Sequence, residues 1–148
     1  MANIVHRVEV RGSAEAVYTS LSSIKGLASW WTRQTTGDSS AGGVIKFRFG
    51  ERGGFDMKVV ELDANKCVLW QVISGPDEWV DTQISFVLKQ DGDATAIFFQ
   101  HRDWKEQSEF MHHCSTKWAM FLISLKSLIE TGQGAAYPND VHITVNAD

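Results

Sequence analysis

Histidine, cysteine and carboxylate side chains are the groups through which this 148-residue sequence could do chemistry. His101 closes an alternating segment and is followed by Arg102-Asp103-Trp104. An inward imidazole there could hydrogen-bond a ligand or act as an acid or base near neutral pH. The competing reading is a histidine satisfied by backbone, tying the last strand to the helix that follows. His112-His113-Cys114 has metal-ligating residue types in the wrong spacing. Neighbours on a helix point about 100° apart, whereas a zinc site needs three or four converging ligands. Even with His113 turned towards His101, a third ligand is missing, so no metal and no cofactor are expected. Glu9, Glu61 and Glu78 are the carboxylates nearest strand positions, and no spacing forces two of them together as hydrolysis by paired carboxylates requires. The sequence has neither a nucleophile elbow nor a phosphate-cradling glycine loop. Gly42-Gly43 and Gly53-Gly54 read as turn glycines, and Ser124 and Ser127 as ordinary helix residues. No catalytic residue is assigned.

The aromatic inventory is the stronger signal: six Trp, eight Phe and two Tyr. As core, such rings contribute buried area; as lining, they offer flat walls to a ligand, with an indole N–H that seeks a partner when buried. Trp30, Trp31, Trp70, Trp79, Trp104 and Trp118 are expected to divide between the two roles, with Trp70 and Trp118 foremost on a cavity wall. Phe47, Met57, Phe86 and Phe99 point inward by alternation and Phe121 by helical period, so that with His101 they complete a candidate ligand-binding wall.

The elements that must position these groups follow from periodicity and punctuation. Residues 4–11 alternate as a strand. Ser13 caps a short helix to about Leu21, and Ser22 or Ser23 caps a second that runs to Trp30-Trp31. Residues 32–43 are rich in Ser, Thr and Gly and read as a loop and candidate lid. Alternating segments then recur over 44–50, 55–63, 67–74, 79–89 and 94–102, separated by turn residues, the pattern of an antiparallel meander. From about Lys105 to Thr131, apolar residues return every three or four positions, Phe110, Cys114, Trp118, Phe121, Leu122 and Leu125 among them, up to the stop at Gly132. Only this helix is long and apolar enough to cover one face of the sheet. Val141 to Val145 alternates weakly and could add an edge strand or meet a partner.

Composition bounds the rest. A net charge of −4 with scattered Lys and Arg supplies no basic stripe for nucleic acid or an anionic membrane. No apolar run approaches the ~20 residues that span a bilayer. The first residues run straight into alternating sequence, so no secretory leader is expected, and Cys67 and Cys114 read as reduced thiols in a cytoplasmic protein.

Trp30-Trp31, Gly42-Gly43, Val68 with Trp70, Gly75-Pro76-Asp77-Glu78-Trp79, the Thr82/Ile84/Phe86 strand and His101 with Trp104 stand in a characteristic order. So do Cys114, Trp118, Leu122, Ser124-Leu125-Lys126, Glu130, Gly132-Gln133-Gly134 and Tyr137. In this order and spacing the chain resembles the START-like (SRPBCC) superfamily, and within it the bacterial homologues of the activator of heat-shock-protein-90 ATPase. The resemblance implies an α+β helix-grip (START/Bet v-like) fold, a curved sheet of six to seven strands around a long C-terminal helix, over residues 1–138 with a tail at 139–148. It also implies an internal cavity for a small hydrophobic molecule. Three functions stay open: ligand binding, a cyclase/aromatase-like enzyme with His101 in its cavity, and an interaction protein that contacts a chaperone or forms a homodimer.

Overall fold

The computed structural model describes residues 1–145, and the expected helix-grip architecture is what it shows. The elements run β1 (Ala2–Arg11), α1 (Ala14–Ser22), α2 (Ile24–Trp30), β2 (Gln34–Gly37), β3 (Val44–Arg48), β4 (Gly54–Asp63), β5 (Cys67–Ser74), β6 (Gln83–Asp91), β7 (Ala94–Trp104) and α3 (Glu109–Thr131). The seven strands form one sheet in the order β1-β7-β6-β5-β4-β3-β2, and every pairing is antiparallel. The first strand therefore pairs with the last, while α1 and α2 carry the chain across to the far edge. Helix starts obey capping chemistry: the hydroxyls of Ser13, Ser23 and Ser108 accept from the backbone N–H of Ala16, Gly26 and Met111.

Strand alternation sends Ile45, Phe47, Met57, Trp70, Ile84, Phe86, Ile97 and Phe99 to one face, where all are fully buried. Helix α3 covers that face with Met111, Cys114, Trp118, Phe121, Leu122 and Leu125. Its far end also holds the last residues of the β1 edge of the sheet. Lys126 Nζ donates to the Glu9 carbonyl at 2.6 Å, and the Arg11 N–H donates to Glu130 Oε2 at 2.8 Å. A bulge lies in the β1–β7 pairing beside Asp103, whose φ is 74°, and Trp104 is buried with His101 three residues before it. Gly54 is required by proximity: a Cβ there would stand 1.8 Å from the Phe47 carbonyl oxygen.

Four sequence expectations need correction. Residues 32–43 are not wholly loop: Thr35 and Thr36 pair with Phe47 and Lys46 as an edge strand, since β-branched residues beside a free strand gain ladder bonds. Trp79 to Thr82 is not strand; the Pro76 carbonyl accepts from both Trp79 and Val80, winding the segment into a turn. Helix α3 starts at Glu109, not near Lys105, because Ser108 provides the cap. Residues 141–145 form no strand, and Lys117 instead holds Asp140 and the Val141 carbonyl; the expected tail continues to 148, outside the described residues.

Ser124, read as unremarkable, is a buried tie. Its hydroxyl donates to the Trp30 carbonyl at 2.8 Å and accepts from the Ala135 N–H at 2.7 Å, joining α3 to α2 and to the chain beyond it. Ser124→Ala leaves a buried carbonyl and a part-buried N–H without partners, so a loss of about 1–3 kcal/mol is expected in urea denaturation followed by circular dichroism.

Candidate functional site

At one end of the sheet α3 does not close down on the strands, and a cleft of about 500 Å³ remains. Its floor and sides come from four stretches: Trp31 after α2; Phe49 to Phe55 around the β3–β4 turn; Gly75, Pro76 and Trp79 in the β5–β6 turn; and Phe110 to Phe121 on α3. Tyr137 and Asp140 complete it.

Trp31 is the hub of the wall. Its ring lies 4.3 Å from Phe47, 4.8 Å from Trp118 and 5.9 Å from Phe55, centroid to centroid, and it stacks 8° from parallel on Trp70 at 6.2 Å. Its backbone is clamped as well: Tyr137 N–H donates to the Trp31 carbonyl at 2.9 Å, and Arg33 N–H to the Tyr137 carbonyl at 3.1 Å. On the opposite side Phe55 lies flat on Trp79, with centroids 3.9 Å apart and planes 5° from parallel. Such offset aromatic pairs contribute ~0.5–1.5 kcal/mol each beyond area burial and hold flat surfaces in place.

The polar groups are few and mostly engaged. Lys117 pairs with Asp140 at 2.6 Å and lies 5.1 Å from the Phe121 ring centroid, a largely buried ion pair with a cation–π contact. His113 stacks on Phe110 at 6.3 Å. The Trp79 indole N–H finds no partner of regular hydrogen-bond geometry. Burial pushes the Cys114 thiol up to about 12, with the Trp79 N–H acting against that shift, so Cys114 presents a neutral, unreactive thiol to the cleft. Among the described residues no three His, Cys, Asp or Glu side chains converge as metal ligands.

The twelve residues expected on a cavity wall divide. Trp31, Trp79, Trp118 and Phe121 face the cleft. Phe47 and Trp70 stand directly behind Trp31. Trp30, Met57, Phe86, Phe99, His101 and Trp104 are fully buried beyond the wall, where Trp30 donates its N–H to the Ser20 carbonyl at 2.9 Å. Phe49, Phe55, Phe110 and Tyr137 line the cleft although sequence reasoning gave them no site role. Phe49 and Phe55 share the alternation of Phe47 and Met57 and flank the turn where β3 passes to β4, and that combination was the available signal.

His101 lies behind the wall with both ring nitrogens committed. Trp118 Nε1–H donates to Nδ1 at 3.1 Å, which leaves the ring proton on Nε2, 2.8 Å from Thr82 Oγ1. The Thr82 hydroxyl passes its own proton on to the Trp79 carbonyl at 2.5 Å. Of the two sequence readings, neither is quite met: the imidazole is satisfied, but by side chains. Burial lowers its pKa to about 3. The folded value therefore lies below the unfolded one of about 6.5, and the unfolded chain binds the extra proton between those limits. Stability from this group is complete above about pH 6.5 and declines as pH falls towards 3. From pH 7 to pH 5 a loss of about 2 kcal/mol is expected in urea denaturation, larger than in His101→Gln, with the folded His101 ring resonance unchanged over that range.

The fold and cleft can be set beside known proteins. The profile of the family described as Activator of Hsp90 ATPase homolog 1-like protein matches residues 11–130. The solution structure of the Aha1 dimer from Colwellia psychrerythraea is similar at 44% identity and a TM-score of 0.83, covering 90% of this chain and 100% of that one. Protein SSP2350 from Staphylococcus saprophyticus has 15% identity and a TM-score of 0.75, over 91% of this chain and 97% of its own. CalU16 from Micromonospora echinospora has 18% identity and a TM-score of 0.71, over 86% and 73%. These two share the fold alone. No curated protein matches the chain. With four-fifths of its length inside one family profile and a relative 44% identical over nine-tenths of it, the chain belongs to the activator of Hsp90 ATPase homolog 1-like family of START-like proteins.

Proposed function

We propose that the cleft binds a small, flat, apolar molecule, uncharged where it meets the inner wall, in a cytoplasmic setting. The observation that carries this reading is the cleft itself: about 500 Å³ of space walled largely by aromatic rings, with the Lys117 cation paired to Asp140 beside it. That volume falls within the usual range for small-molecule pockets, ~300–1,000 Å³. The lining argues for binding rather than turnover. The thiol of Cys114 is neutral, and His101 has neither a free lone pair nor a free proton to offer, which removes the main support for a cyclase-like reaction. A net charge of −4 disfavours nucleic acid, and among the described residues no helix is long and apolar enough to cross a membrane. Self-association forms a second part of the proposal, favoured by the dimeric state of the relative from Colwellia psychrerythraea. A chaperone contact rests on the family description alone.

Titration with the neutral fluorophore N-phenyl-1-naphthylamine, followed by tryptophan quenching and amide chemical shifts, tests the pocket. Saturable binding is expected, with shifts concentrated at Trp31, Phe55, Trp79, Trp118 and Tyr137. Phe55→Ala removes a face of the stacked pair and is expected to weaken binding about tenfold, near 1.4 kcal/mol. Shifts spread over the outer face of the sheet, or no saturation, would overturn the reading.

A further inference from the structure

The outer face of the sheet, away from α3, carries a pattern that neither the cleft nor the core explains. Five large apolar side chains stand on it exposed: Val5 62%, Val87 48%, Ile73 45%, Val60 44% and Phe98 39%. Strand register places two of them in a single row. Arg7 on β1 faces Phe98 on β7, Phe98 faces Val87 on β6, Val87 faces Cys67 on β5, and Cys67 faces Asp63 on β4. The row thus starts with a cation, ends with an anion and has short or flat apolar groups between. The next row ends on Glu61, beside Asp63, and their shared negative field helps raise the Cys67 thiol's pKa, after burial. Arg7 already leans over the Phe98 ring at 5.6 Å and pairs with Glu9 at 2.7 Å, so it lies along this face.

We infer that this face docks a second copy of the chain, its two-fold axis running along β6 through Val87. This rests on the self-association reading above and assigns its surface. A two-fold axis lying in the interface along the strands maps each position of the row onto the position equally far on the other side of the centre. Val87 then meets its own counterpart, Phe98 meets the partner's Cys67, and Arg7 meets the partner's Asp63, twice over. The sheet curls around α3, so two such outer faces touch at the middle and part towards the sides. In this row, short side chains at the centre and long charged ones at the ends fit that gap.

Sedimentation of the full chain across a range of concentrations tests the assignment. A dimer is expected, weakened about tenfold or more by Val87→Glu and several-fold by Arg7→Glu or Asp63→Arg alone, with Arg7→Glu and Asp63→Arg together restoring most of the loss. Within one protomer these two residues stand about 19 Å apart across five strands, too far to pair, so restoration can arise only between copies. A monomeric wild-type chain would overturn self-association altogether. A dimer indifferent to Val87→Glu would overturn this surface while leaving self-association standing, and a dimer weakened by both charge reversals without mutual rescue would overturn the two-fold arrangement. The charge reversals lie on exposed positions, so they report on association even where Val87→Glu disturbs folding.

Discussion

The imidazole of His101 joins the three parts of the molecule that shape the cleft. One nitrogen accepts the indole N–H of Trp118 from α3, and the other donates to Thr82 just before β6. Through the Thr82 hydroxyl the chain ends on the Trp79 carbonyl in the β5–β6 turn. Each member is buried, so every donor in this relay must find its acceptor or lose several times what an exposed hydrogen bond is worth. That requirement sets where Trp118 and Trp79 present their faces. Those faces are two walls of the cleft, and Trp31 then fits between Trp118 and Phe47 as the third. The binding surface is thus positioned from behind, by polar groups that do not meet the ligand.

This arrangement explains why the cavity survives in a domain so rich in large side chains. An apolar cleft would be expected to collapse under the packing preference of its own rings. Here Trp79 stacks on Phe55, Tyr137 is clamped to Trp31 through backbone hydrogen bonds, and Lys117 is held to Asp140. Stacking, backbone hydrogen bonds and the Lys117–Asp140 pair together oppose inward sliding of the wall.

Much of the fold could be read from residue pattern. Serine caps, period-two strands and the apolar stripe of α3 are local signals, and they placed nearly every element. What escaped was set by pairings that residue pattern does not encode. Strand β2 exists because β3 offers it an edge, and the turn at 76–82 winds because one proline carbonyl takes two donors. The site was less legible for the same reason. Alternation told that Trp70 and Phe99 point inward, but inward includes both core and cleft. Which of the two applies depends on how α3 sits over the sheet, which period and alternation do not specify. Ser124 looked idle because its two partners lie 94 and 11 residues away.

The way α3 holds the end of the β1 edge bears on what kinds of assembly this protein can form. Lys126 and Glu130 occupy the outward backbone groups of Glu9 and Arg11, and the opposite edge is the four-residue strand β2. Adding a strand at that end of β1 would mean displacing both contacts, and the short β2 offers few ladder positions. A face-to-face two-fold contact would by contrast use up the surface that formed it, while two charged residues at the end of a helix hold the neighbouring stretch of sheet edge.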